Sequence, residues 1–162
     1  MTTFAVLEFP RAEGAEYMLR TLHQLQERHL IEIEDWAIVT WPLGAKHPRT
    51  RQLNHLTADS ALSGVFWGML FGLLFSVSFF GVASDTTIGT LACHFAYYGI
   101  DEDFFKGARN QIMEGTSALF LLTNGATLDK VVSTIKKGMQ FDLISTSLSE
   151  AQEEQLREAF GE

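Results

Sequence analysis

Five histidines, one cysteine and two groups of carboxylates are the residues of this chain with the chemistry to catalyse or to bind a metal. His23, His29, His47, His55 and His94 include no pair four apart, the spacing that presents two imidazoles to zinc from one helix face. His23 and His29 stand six apart and fall on different faces. Cys93 lies near apolar Ala92 and Phe95, which suits an inert buried thiol better than a nucleophile. Glu8, Glu32 and Glu34 could face a cleft, but read first as solvated strand-edge carboxylates. Asp101, Glu102 and Asp103 are adjacent, poorly spaced for a cation but well placed for a helix N-terminus, where the macrodipole favours negative charge. No GxGxxG, phosphate-binding GxxxxGK[ST] or GxSxG elbow is present. The expectation is a non-enzymatic chain with no catalytic, cofactor-binding or metal-binding residues.

Charge narrows the partners. Twelve Lys and Arg against twenty Asp and Glu give a net charge of −8, which argues against nucleic acid, since phosphate binding needs a clustered basic surface. The one local basic group is Lys46, His47, Arg49 and Arg51. It reads first as a solvated loop and second as a flank facing anionic headgroups, worth about 1 kcal/mol per basic residue near the surface. A single cysteine excludes an intrachain disulfide. The N-terminus lacks a basic stretch followed by a small-residue cleavage site, so the bulk of the domain is expected in the cytoplasm.

The elements that would position these residues form two similar halves. Phe4–Phe9 is an apolar run closed by Pro10 and reads as a buried strand. Arg11–Leu30 changes to helical period, with Ala15, Leu19, Leu22 and Leu25 on one face. Trp36–Trp41 reads as the second strand. Ser117–Thr123 is a third strand, Leu128–Lys137 a helix ended by Gly138, and Phe141–Thr146 the last strand. Ser149 and Gln152 form a capping-box pair opening a C-terminal helix to about Phe160. Two successive strand–helix–strand units fit an α+β, ferredoxin-like sandwich with a four-stranded antiparallel sheet and helices on one face. Its first and third strands, the least polar, should be central.

Such a domain needs only a hairpin between strands two and three, and this chain has a long insertion there. Residues 61–84 carry no charge, and as a helix would span about 36 Å, more than the roughly 30 Å hydrocarbon core. Gly64, Gly68 and Gly72 stand four apart on one helix face. Glycine inside a helix costs up to about 1 kcal/mol each relative to alanine, so a run in register points to close backbone approach by another helix. Residues 86–100 are again uncharged, with Gly89, Ala92, Cys93 and Ala96 as a small-residue side, but reach only about 22 Å as a helix. A helical hairpin results. It could enter a membrane with Trp67, Tyr97 and Tyr98 near its interfaces, be buried among copies in a soluble oligomer, or pack on its own domain. Asp101 then opens an amphipathic helix with Phe104, Phe105, Ala108 and Ile112 on one face. The organisation expected is 1–45, the first half; 46–114, the inserted hairpin and amphipathic helix; 115–162, the second half.

The run Leu30-Ile-Glu-Ile-Glu-Asp35 with Ala37, the stretch Leu62–Phe75 around Phe66-Trp67-Gly68, Tyr98–Phe104, Gly115–Phe120 and Thr146–Ser149 resemble a bacterial family of unknown function, DUF1269, described as predicted membrane proteins. The resemblance runs nearly end to end. It implies a bacterial membrane protein and carries no reaction; with the N-terminal reading above, the expectation is an inner-membrane protein with its domain on the cytoplasmic side. Ser76, Ser78, Thr86 and Thr87 make this hairpin more polar than the family's leucine- and glycine-rich version, which keeps a soluble cytoplasmic complex open. The functions expected are therefore a self-associating structural or regulatory membrane module or, as the alternative, a soluble homo-oligomer sensing a small ligand through its heads.

Overall fold

The computed structural model describes residues 2–46, 48–52, 67, 70, 71, 74, 95, 96, 99–124 and 140–160. Five strands, β1 (Thr2–Phe9), β2 (Glu32–Thr40), β3 (Arg49–Gln52), β4 (Ser117–Asn124) and β5 (Asp142–Leu148), form one open sheet in the order β3-β2-β4-β1-β5. Every pairing is antiparallel. Among the described residues, three continuous helices accompany them: α1 (Gly14–Glu27), α2 (Glu102–Gln111) and α3 (Glu150–Phe160).

β1 and β4 pair along their whole lengths, Thr2 with Asn124 through to Phe9 with Ser117. Both are apolar at successive positions because the sheet is covered on both faces there. Phe4 and Val6 enter one core with Phe120 and Leu122, while Ala5, Leu7 and Phe9 enter the other with Leu119 and Leu121. The face of Ala5, Leu7 and Phe9, the first face of the sheet, is closed by α1 through Ala15, Met18, Leu19 and Leu22. The second is closed by Phe104, Phe105, Ala108 and Ile112 of α2, together with Trp67, Leu70, Phe71 and Leu74. Those last four are helical, and their i, i+3, i+4, i+7 spacing makes one helix stripe.

Two features correct the four-stranded sandwich with helices on one face. The basic segment expected as a loop contains β3, which pairs with β2 from Thr40↔Arg49 to Ala37↔Gln52 and supplies a fifth strand. Its Arg-Thr-Arg-Gln sequence has no apolar alternation, as suits an edge strand whose charges discourage further pairing. Helices also cover both faces, because α2 and part of the apolar insertion occupy the side expected to be bare. Strand β2 begins at Glu32 rather than Trp36. The helix expected over residues 128–137 lies outside the described residues.

Local signals fix the helix ends. Asp101 Oδ1 accepts from Phe104 N at 3.0 Å and caps α2. Ser149 Oγ accepts from Gln152 N at 3.1 Å while Gln152 Oε1 accepts from Ser149 N at 3.0 Å, the reciprocal box read from the sequence. Helix α1 has no side-chain cap of its own. Its orphan Ala15 N–H is taken at 3.0 Å by Ser117 Oγ of β4, which also donates to Arg11 O at 2.6 Å. At its other end, His29 N–H bonds Gln26 O and Leu30 N–H bonds Leu25 O, a Schellman closure with His29 left-handed at φ 61°. The helical residues Phe95 and Ala96 end in the same way: Gly99 N–H bonds Ala96 O, Ile100 N–H bonds Phe95 O, and Gly99 has φ 94°.

Candidate functional site

The second face of the sheet is where the apolar insertion meets the domain. Trp67 is fully buried against Phe4, Phe71 and Phe120, with ring centroids 6.0, 5.9 and 6.4 Å away. Its indole N–H donates to Oδ2 of Asp35 at 3.4 Å. Asp35 is 0% exposed, and its Oδ1 accepts from Trp36 N at 2.8 Å. A β-bulge brings it there. Ile33 pairs with Thr123 and Asp35 with Leu122, so Glu34 is the extra residue and the side-chain alternation of β2 reverses. Ile33 packs toward α1, yet Asp35 shares the second face with Ala37 and Val39.

Glu8 is the other carboxylate on this face. It follows Phe4 and Val6 in alternation and is 4% exposed, and neither oxygen has a hydrogen-bond partner. Its strand neighbours are Ala118 on β4 and Asp142 on β5. Burial, and then the Asp142 charge, push its carboxyl from 4.5 up to about 8. The expectation of a solvated strand-edge carboxylate is thus overturned. Alternation with Phe4 and Val6 in a strand covered on both faces was the signal that could have found it.

The remaining candidates disperse. His29 is the exposed closing residue of α1, and His23 packs edge-on to Trp36 at 6.3 Å. Arg51 lies 5.4 Å above the Trp36 ring and pairs with Glu16. Glu32 is exposed at the sheet end, accepting from Asn124 Nδ2. Asp101 and Asp103 are exposed at the α2 N-terminus. Among the described residues, no group of three or more His, Cys, Asp or Glu could hold a metal ion. An open groove of about 1110 Å³ lies where β1 enters α1, bordered by Arg11, Tyr17, Leu43 and Gln140.

Of the helix-packing residues expected, Ala96 is helical and exposed beside buried Phe95. Gly64, Gly68, Gly72, Gly89 and Ala92 lie outside the described residues, as do Tyr97, Tyr98, Cys93, His47, His55 and His94. Trp67, expected near a membrane interface, is in the second core. Among the described residues, no helix is long and apolar enough to cross a membrane.

A family model described as "Protein of unknown function (DUF1269)" matches residues 61–161, a narrower span than the near end-to-end resemblance expected. It begins at the apolar insertion and takes in α2, β4, β5 and α3. No curated protein and no solved structure matches the chain.

Proposed function

The chain belongs to the DUF1269 family, whose function is unknown, and from that premise we propose that it is a non-enzymatic, self-associating structural or regulatory protein. What supports this reading is the Gly64, Gly68 and Gly72 series of the uncharged segment, whose stripe Trp67, Leu70, Phe71 and Leu74 is taken by the domain's own sheet. That stripe uses one face of the uncharged segment. In the sequence, Gly68 and Gly72 follow Trp67 and Phe71 by one residue, or about 100° of helical turn. Gly64, three residues before Trp67 and seven before Phe71, borders that stripe, so on the helical period the glycine series runs along the edge of the stripe the sheet takes. Close backbone approach by a second helix is what small residues at such spacing favour. The partner is a second copy of this chain.

The β2-β4-β1-β5 portion reads as a ferredoxin-like head to which β3 adds an edge strand, and fold analogy assigns that head no reaction. A bilayer surface is the second reading of where association occurs, favoured by the uncharged residues 61–84. Size exclusion with light scattering in detergent-free buffer tests the proposal, alongside flotation with phospholipid vesicles. A monodisperse multimer supports the soluble arrangement, and co-flotation supports the membrane one. A monomer that leaves vesicles untouched would sink both. Gly68→Leu is expected to dissociate the multimer while the circular dichroism of the head stays unchanged.

A further inference from the structure

We propose that Glu8 is a protonation-controlled lock on the second face of the sheet, holding α2 and the Trp67 stripe against β1 while its carboxyl is neutral and loosening both when it ionises. This rests on the reading of the apolar segment as the association element, since what the lock controls is that segment's docking.

The geometry comes first. Phe4, Val6 and Glu8 form one column on β1, all facing the core that α2 and the Trp67 stripe close. A neutral carboxyl can stay in such a column at modest cost, but an ionised one needs water or a cation. Neither carboxylate oxygen has a partner. Its partners across the sheet supply no cation. Asp142 on β5 is directly across, exposed and itself acidic. Strand β4 offers Ala118. Helix α2 contributes Phe104, Phe105, Ala108 and Ile112 to this core, while its Asp103 and Lys106 are exposed. The Trp67 stripe carries no charged group. Asp35, the other acid on this face, pairs with Leu122, four positions along β4 from Ala118. Ionisation therefore adds an unpaired buried charge beside a second negative one, and solvating it requires the cover to lift.

Phe4 couples that event to the insertion. Its ring stands 5.2 Å from Phe104 of α2 and 6.0 Å from Trp67, so the helix and the stripe share one wall. Loosening α2 frees one side of the Phe4 ring against which Trp67 packs. The ordinary carboxyl range would place such a change far from neutrality, but burial and Asp142 move it to about 8. The lock is therefore set near physiological pH.

The test is ¹⁹F NMR of the full chain labelled with 5-fluorotryptophan from pH 6 to 9.5, with the Trp67 resonance assigned by Trp67→Phe. The expected result is a shift of that resonance toward the solvent-exposed position, with a midpoint near pH 8. Glu8→Gln should abolish the transition and keep Trp67 buried at pH 9.5. Asp142→Asn, which removes the neighbouring negative charge, should move the midpoint to a lower pH. A Trp67 resonance that does not change with pH overturns the lock, as does a transition surviving in Glu8→Gln. Should Glu8→Gln fail to fold, an unmoved or raised midpoint in Asp142→Asn overturns it instead. Light scattering on the same samples separates the two ideas: a flat Trp67 profile with intact Gly68-dependent association refutes the lock alone.

Discussion

Trp67 reaches Asp35 across the second face of the sheet, its indole N–H 3.4 Å from Oδ2 of a carboxylate with no solvent exposure. One residue comes from the uncharged insertion and the other from a bulge in β2, so the bond ties the insertion to the domain at a defined register. An apolar stripe alone could slide along an apolar sheet. A buried polar pair admits one position, because leaving either group unmatched costs about 1–3 kcal/mol.

The first prediction is a coupling. Trp67→Phe and Asp35→Asn should each destabilise the protein, and the double variant should fall short of the sum by about 0.5–3 kcal/mol. Urea denaturation of the four proteins in the cycle measures it. Strict additivity would mean that the two side chains do not communicate.

A second prediction concerns pH. The carboxyl of Glu8 is raised in the folded protein, from 4.5 to about 8. The folded state therefore holds its proton more tightly than the unfolded chain does. The stability contributed is fully present below about pH 4.5, and is lost as pH rises toward 8. The greatest slope is about 1.4 kcal/mol per pH unit. Denaturant midpoints at pH 5, 7 and 9 should fall in that order, and Glu8→Gln should flatten this part of the profile. A stability that climbs between pH 5 and 8 in the wild-type protein contradicts the burial of this group.

Ser117 gives a third. Its hydroxyl is the cap that α1 lacks, accepting from Ala15 N and donating to Arg11 O. Ser117→Ala strands a buried N–H and should cost about 1–2 kcal/mol. Ser117→Thr retains the hydroxyl and should lose less. Chemical denaturation followed by far-ultraviolet circular dichroism distinguishes them.

The fourth runs the other way. His29 closes α1 in a left-handed conformation that costs an L-residue roughly 1–2 kcal/mol. Glycine carries no such penalty, though it gains freedom in the unfolded chain. His29→Gly should therefore raise stability by about 0.5–1 kcal/mol, seen as a higher melting temperature. A decrease would show that the imidazole makes a contribution beyond its backbone shape.

Elements with strong local signals were legible in the residue pattern. β1 and β4 are apolar at successive positions because helices cover both their faces, and the Ser149–Gln152 box and the Asp101 cap follow from residue type. β3 was not legible, since Arg-Thr-Arg-Gln carries the charge of an edge and none of the alternation of a core strand. Asp35 was hidden for a different reason. A bulge reverses side-chain parity, and nothing in Ile-Glu-Asp-Trp announces where the extra residue falls. Glu8 presented a conflict between residue type, which favours water, and position, which favours the core; the surrounding fold decided it. The stripe at Trp67, Leu70, Phe71 and Leu74 was visible as apolar, but only the sheet reveals that it serves the chain's own core.

The strand order also shapes how the protein is made. β1 leaves the ribosome well before its two neighbours, β4 and β5, which begin only at Ser117 and Asp142. At synthesis rates of about 5–20 residues per second, the run from Phe4 to Phe9 waits on the order of ten seconds with both edges bare. During that interval the nascent chain offers an adhesive ribbon to every other unfinished polypeptide nearby. Translation speed and chaperone supply, as much as the finished fold, thus govern how much of it reaches the native state.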